Sequence, residues 1–165
     1  MSFEIRNPED LRRLATILRI LVKQGKTEDA YWLLREMGFS EAAAHRILSW
    51  FSKSRHIRVR PSTLSKILLI VLIIAAMISL ALFNLTIGLS PRDITFIGSL
   101  GMLGAAQVFA TIVADELGFS TFFLFLLVPR ELVIELAREW NPDYIYVMLI
   151  RGIEEGDKIF QNQED

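Results

Sequence analysis

The sequence predicts an all-α integral membrane protein: a two-helix transmembrane hairpin with an N-terminal cytosolic three-helix unit and a C-terminal amphipathic helical tail. Three observations predict it. Hydrophobic residues make up 52% of the 165, with a mean hydropathy of +0.38. The excess is concentrated in two runs, residues 64–83 and 94–114, each reaching the about 20 residues that a helix needs to cross a hydrocarbon core. Around these runs, apolar residues recur at helical rather than alternating spacing. Residues 1–62 form a basic helical unit, 63–128 the hairpin with a further apolar segment, and 129–165 an acidic amphipathic tail. The front holds 12 Lys+Arg against 7 Asp+Glu and the back 6 against 12. Such asymmetry predicts either an external surface of opposite sign or a tail that folds onto the head.

The amino end, "MSFEIRNPEDLRRLA", has no apolar h-region, so no signal peptide is expected. Three places, "NPED" at 7–10, "SPRD" at 90–93 and "NPD" at 141–143, put Asn or Ser at an N-cap, Pro at the first helical position and an acid soon after. Pro sacrifices no hydrogen bond there, and the acid suits the positive helix end. Helices are therefore predicted to start at Pro8, Pro91 and Pro142. The first, about 8–24, places Leu11, Leu14, Ala15, Leu18, Leu21 and Val22 on one face, with Arg12, Arg13, Arg19 and Lys23 elsewhere, and stops at Gly25. Thr27 is expected to cap a second helix, about 28–37, ended by Gly38. Ser40 is expected to cap a third, 41–53. Three short helices make a bundle that is marginal at this size.

The first predicted span, "LSKILLIVLIIAAMISLALF", is uncharged from Ile67 to Phe83. The second, "ITFIGSLGMLGAAQVFATIVA", is rich in small residues. Gly101, Gly104 and Ala105 on it and Ala75 and Ser79 on the first span can bring two backbones close, which substitutes in lipid for a hydrophobic drive between helices. The hairpin is the preferred pairing; a second copy or another subunit is the rival. Gln107 is expected to hydrogen-bond to a neighbouring helix. Lys53, Arg55, Arg58, Arg60 and Lys66 precede the first span, whereas the connecting loop holds Arg92 offset by Asp93. The positive-inside rule then places both termini in the cytosol of a multi-pass cell-membrane protein. Asp115 and Glu116 read as the stop after the second span. The apolar run "LGFSTFFLFLLV", 117–128, is too short to cross and is expected to be interfacial, re-entrant or covered by a partner.

In the tail, "RELVIELAREW" (130–140) sets Leu132, Val133, Leu136, Ala137 and Trp140 against Glu131, Glu135, Arg138 and Glu139. An acidic polar face suits protein better than anionic lipid, with the basic head as the obvious acceptor. Residues 142–160 are predicted helical, although "YIYVMLI" also suits a strand. The last residues, "QNQED", are expected to be disordered.

The stretch "LREMGFSEAAAHRIL", 34–48, invites a functional reading. Leu34, Gly38, Phe39, Ser40, Ala44 and Ile47 fall where the helix-turn-helix of DNA readers has its helix contact, turn glycine, cap and anchors, and the segment resembles that motif. The resemblance implies a second helix exposing Glu41, Ala42, His45, Arg46 and Ser49, with Arg46 on a guanine and the basic run "KSRHIRVR" on phosphates. Leu34 stands where such motifs usually carry Ala, and the reading face holds an acid and alanines. The same stretch is similar to ubiquitin-associated modules, in which a Met-Gly-Phe loop joins two helices; no third helix of that module follows residue 53. The third reading, and the preferred one, is a Gly-terminated helix followed by a Ser-capped one in an ordinary bundle. Juxtamembrane cations have their own use, since Arg46, Lys53, Arg55, Arg58 and Arg60 can meet anionic lipid as well as DNA.

No Cys is present, which excludes disulfides, thiol catalysis and Cys-based metal or iron–sulfur sites. No phosphate-binding glycine loop, HExxH or GxSxG occurs. His45 and His56 have no acid cluster beside them. No catalytic, cofactor or metal residue is therefore predicted. The expectation is a non-enzymatic membrane-anchored adaptor or accessory subunit that scaffolds a partner protein or a homo-oligomer at the cytosolic face. The alternative is a membrane-tethered helix-turn-helix regulator that binds nucleic acid.

Overall fold

The computed structural model describes residues 5–53, 58–87 and 116–164, and among these every regular element is helical. In chain order they are α1 (Pro8–Lys23), α2 (Thr27–Glu36), α3 (Glu41–Ser52), α4 (Pro61–Ile87), α5 (Glu116–Leu127), the short α6 (Arg130–Val133), a 3-10 turn (Leu136–Arg138) and α7 (Pro142–Glu164). The expected second span 94–114, with Gly101, Gly104, Ala105 and Gln107, and the expected helix start at Pro91 lie outside the described residues. So do Arg55 and His56.

Local chemistry sets the helix ends. Asn7 Oδ1 accepts from the Asp10 N–H at 2.9 Å, with Pro8 opening α1. Ser40 Oγ accepts from the Ala43 N–H at 3.2 Å to cap α3, and Asn141 Oδ1 accepts from the Asp143 N–H at 2.8 Å at the start of α7. Each satisfies an N–H that the helix cannot pair itself. Thr27 differs from expectation: it is the first residue of α2, its predecessor Lys26 occupies the cap position, and no side chain caps that end. Gly25 and Gly38 have φ of 74° and 92°. Behind Gly38, Phe39 N–H reaches Leu34 O at 3.1 Å and Gly38 N–H reaches Arg35 O at 3.0 Å. The same pair of bonds, Lys26 to Leu21 and Gly25 to Val22, closes α1. Both turns are Schellman caps, in which a left-handed glycine lets two late carbonyls be paired.

The head is closed by α7. Gly152 and Gly156 let α7 lie directly on α1. A Cβ on Gly152 would come within 2.3 Å of the Arg12 carbonyl oxygen, and one on Gly156 within 2.9 Å of Arg19 Cβ. Ile145, Leu149 and Ile153 of α7 and Leu11, Leu14 and Leu18 of α1 are buried in one core with Leu34, Ile47 and Phe51. Each such side chain contributes about 1.5–3 kcal/mol. The residues buried on α7 recur every three to four positions, so "YIYVMLI" is helix and not strand. The helix runs on to Glu164, where residues 161–164 were expected to be disordered.

Residues 130–140 form a four-residue helix and a 3-10 turn rather than one helix. Leu132, Val133 and Leu136 are still buried, as their spacing requires. The tightening at Leu136, whose carbonyl accepts from both Glu139 and Trp140, is where the chain turns from the head surface towards the start of α7.

Two apolar helices leave the head side by side. Pro61 and Ser65 of α4 are buried and Leu64 packs against the core. At α5 it is the carboxyl end, Leu124, Leu127 and Val128, that enters the core. Since α4 is rooted by its amino end and α5 by its carboxyl end, and the two helices pack on each other, they run in opposite senses.

Candidate membrane-facing site

Among the described residues one helix, α4, is long and apolar enough to cross a membrane. Its 27 residues extend about 40 Å, more than a hydrocarbon core requires. Beyond its first turn α4 presents Ile67, Ile70, Val71, Ile74, Met77 and Ile78 to the surroundings. α5 adds Phe122 and Leu126, one helical turn apart and 60% and 68% exposed. The opposite side of α5, Ser120, Phe123, Leu124 and Leu127, is buried on protein. The segment 117–128 is therefore half covered by its own chain and half open. So large a contiguous apolar surface marks a membrane or protein contact. Ala75 and Ser79, the small pair singled out on the first span, are both exposed.

At the base of α4 and α5 the surface changes character. Trp50 Nε1 donates to the Leu127 carbonyl at 2.9 Å, satisfying one of the carbonyls that the end of α5 leaves unpaired. Asp143 accepts from Ser62 Oγ at 2.6 Å and from Ser62 N–H at 3.3 Å, which places a carboxylate at the positive end of α4 and ties it to α7. Trp140 and Tyr144 stack beside this junction with centroids 5.9 Å apart. Lys53, Arg58, Arg60, Lys66 and Arg130 are exposed near the roots of the two helices. Cations and amphipathic aromatics together are the composition of a membrane–water boundary. The cations were legible from sequence. The Trp140–Tyr144 pair was not singled out, although its four-residue spacing across a helix start was the available signal.

The opposite charges of the two halves meet inside the molecule. Arg12 bonds Glu9 at 2.8 Å and Glu155 at 2.5 Å. The hydrogen bond it donates to Glu9, followed by the one it donates to Glu155, raises the pKa of its guanidinium above the ordinary arginine value. Arg19, 5% exposed, grips Asp157 with two nitrogens at 2.6 and 3.2 Å and donates to the Phe51 carbonyl at 2.7 Å. It thus joins α1, α3 and α7. Arg46 is paired with Glu131, which fastens α3 to α6.

Around the turn at Gly38, α3 exposes Glu41, Ala42, His45, Arg46 and Ser49, the face expected from the pattern, while Leu34, Ala44 and Ile47 are fully buried. His45 lies against Tyr31, with ring centroids 5.1 Å apart. Tyr31 in turn meets Trp32 edge-on at 5.5 Å, and Trp32 is 62% exposed. Tyr31, His45 and Leu48 line a hollow of about 530 Å³ between α2 and α3. Among the described residues no group of three acids or histidines is placed to hold a metal ion.

Comparison with protein-family models, curated proteins and solved structures finds no match to this chain.

Proposed function

We propose that the chain is a non-enzymatic adaptor or accessory subunit of the cell membrane, multi-pass with both termini in the cytosol. In this reading α4 spans the bilayer, and residues 94–114 return through it, packing Gly101, Gly104 and Ala105 against Ala75 and Ser79. The head displays a docking surface to a partner protein or to a second copy. One observation carries the reading: a broad apolar surface on α4 and α5 rises from a head whose Arg12, Arg19 and Arg46 are paired with acids of the tail. The exposed Trp32 beside the Tyr31–His45 hollow supports the docking role, because Trp and Tyr are the residues that most often anchor protein contacts.

The absence of Cys makes topology directly testable. In intact cells, single-cysteine variants Glu28→Cys and Gln161→Cys should resist a membrane-impermeant maleimide, and Ser90→Cys should react. Labelling of Gln161→Cys alongside Ser90→Cys would reject the hairpin. Crosslinking in native membranes should yield one discrete larger species that Trp32→Ala removes. A chain that stays monomeric and uncrosslinked would reject the adaptor role.

The DNA-reading alternative draws on the exposed face of α3, and its key side chain Arg46 already holds Glu131. It is tested with the full chain in detergent, since α7 completes the head. Duplex binding that falls steeply with salt and is lost in Arg46→Ala would make this a tethered regulator.

A further inference from the structure

We infer that the groove between α3 and α5 is a binding site for one phospholipid with a net negative headgroup. The site rests on the membrane reading above and adds to it a specific ligand. The groove is shallow and open along its length, with a volume of about 440 Å³, and its two walls differ in chemistry. One wall presents Arg46 and Ser49 of α3 and Lys53 just past its end, three polar side chains that line the same side of the groove. The α5 wall presents Phe125 and Leu126, and Leu126 continues through Phe122 into the exposed apolar surface of α5.

Such a pairing matches an amphiphile lying along α5. Its acyl chain covers Phe122 and Leu126, and its phosphate lies at the level of α3. Glu131 engages one guanidinium nitrogen of Arg46, and a guanidinium has five N–H donors, so others can face the groove. Among the described residues no acid is paired with Lys53. Ser49 supplies a hydroxyl between the two cations. Trp50 also lines the groove and ties the two walls together through its bond to the Leu127 carbonyl, and indole rings favour the membrane–water boundary. The net positive lining selects an anionic headgroup over a zwitterionic one.

The test uses the full chain in detergent, titrated with phosphatidylglycerol or phosphatidylcholine and read by native mass spectrometry. One phosphatidylglycerol should bind in preference to phosphatidylcholine. Lys53→Ala should weaken that binding about fivefold, the scale of one cation near a lipid phosphate, and Lys53→Arg should restore it. Lys66→Ala, an exposed cation on α4 outside the groove, should leave it unchanged. An equal loss in Lys66→Ala would mean diffuse surface charge and overturn the site. So would equal binding of the two lipids, or displacement of the lipid by soluble glycerol phosphate, which would make the groove a free-anion site. Flotation with phosphatidylcholine vesicles after an alkaline wash checks the membrane reading separately. A chain that floats but does not prefer phosphatidylglycerol loses only the groove, whereas one that does not float loses both.

Discussion

Arg19 shows what a single residue does in this chain. Sequence periodicity sets it outside the apolar face of α1, among the other arginines, yet the structure buries it. Its carboxylate partner lies 138 positions away, so nothing local in the sequence marks it. A guanidinium out of water is tolerated only when its donors are satisfied, and here Asp157 and the Phe51 carbonyl satisfy them. Arg19→Ala should cost about 3 kcal/mol, read as a lower melting temperature in detergent. Arg19→Lys should recover only part, because an ammonium cannot fork across both carboxylate oxygens. Full recovery by Lys would show that charge alone matters there. Tyr146 gives a pH-dependent counterpart. Burial raises its pKa above the usual phenol value. The folded state thus holds the proton more tightly than the unfolded one, so the stabilisation is complete below a pH of about 10 and is lost as pH rises further. Wild type should lose more stability than Tyr146→Phe between neutral and strongly alkaline pH. Parallel losses in the two proteins would refute this.

Among the elements, ends were more legible than partners. Asn7, Ser40 and Asn141 cap as their sequences imply, and Gly25 and Gly38 stop their helices, because capping depends on residues within one turn. Thr27 misled because a β-branched hydroxyl residue suits a cap, yet the close of α1 brings the chain into α2 one residue earlier. The break in 130–140 was hidden because helical spacing buries the same residues in either conformation. Small residues drew notice in the apolar runs, whereas Gly152 and Gly156, where α7 lies directly on α1, went unread in a polar context. Gly152→Ala should therefore destabilise more than Gly38→Ala. The first forces a Cβ against the backbone of Arg12 and costs about 2 kcal/mol or more. At Gly38 there is open space and only a strained φ, costing about 1 kcal/mol. Thermal unfolding of the two variants ranks them, and the reverse order would mean that α1 and α7 yield easily.

At the scale of the molecule, the composition foretold an all-helical protein with a basic front, an acidic back and apolar runs between. It left open whether the two charged ends meet a partner or each other. They meet each other at Arg12–Glu155, Arg19–Asp157 and Arg46–Glu131, and the apolar face of α1 is covered by the far end of the chain. The first 62 residues hold three helices but not the surface that closes them. Cut off there, Leu11, Leu14 and Leu18 would lose the cover of Ile145, Leu149 and Ile153, and Arg19 would lose its carboxylate. A domain that small has no stability to spare. A fragment of residues 1–62 should accordingly melt broadly and bind hydrophobic dyes. Adding a peptide of residues 142–164 should restore a sharp transition, and Gly152→Ala in that peptide should weaken the rescue. A cooperative melt of the fragment alone would show that α7 decorates the head instead of completing it.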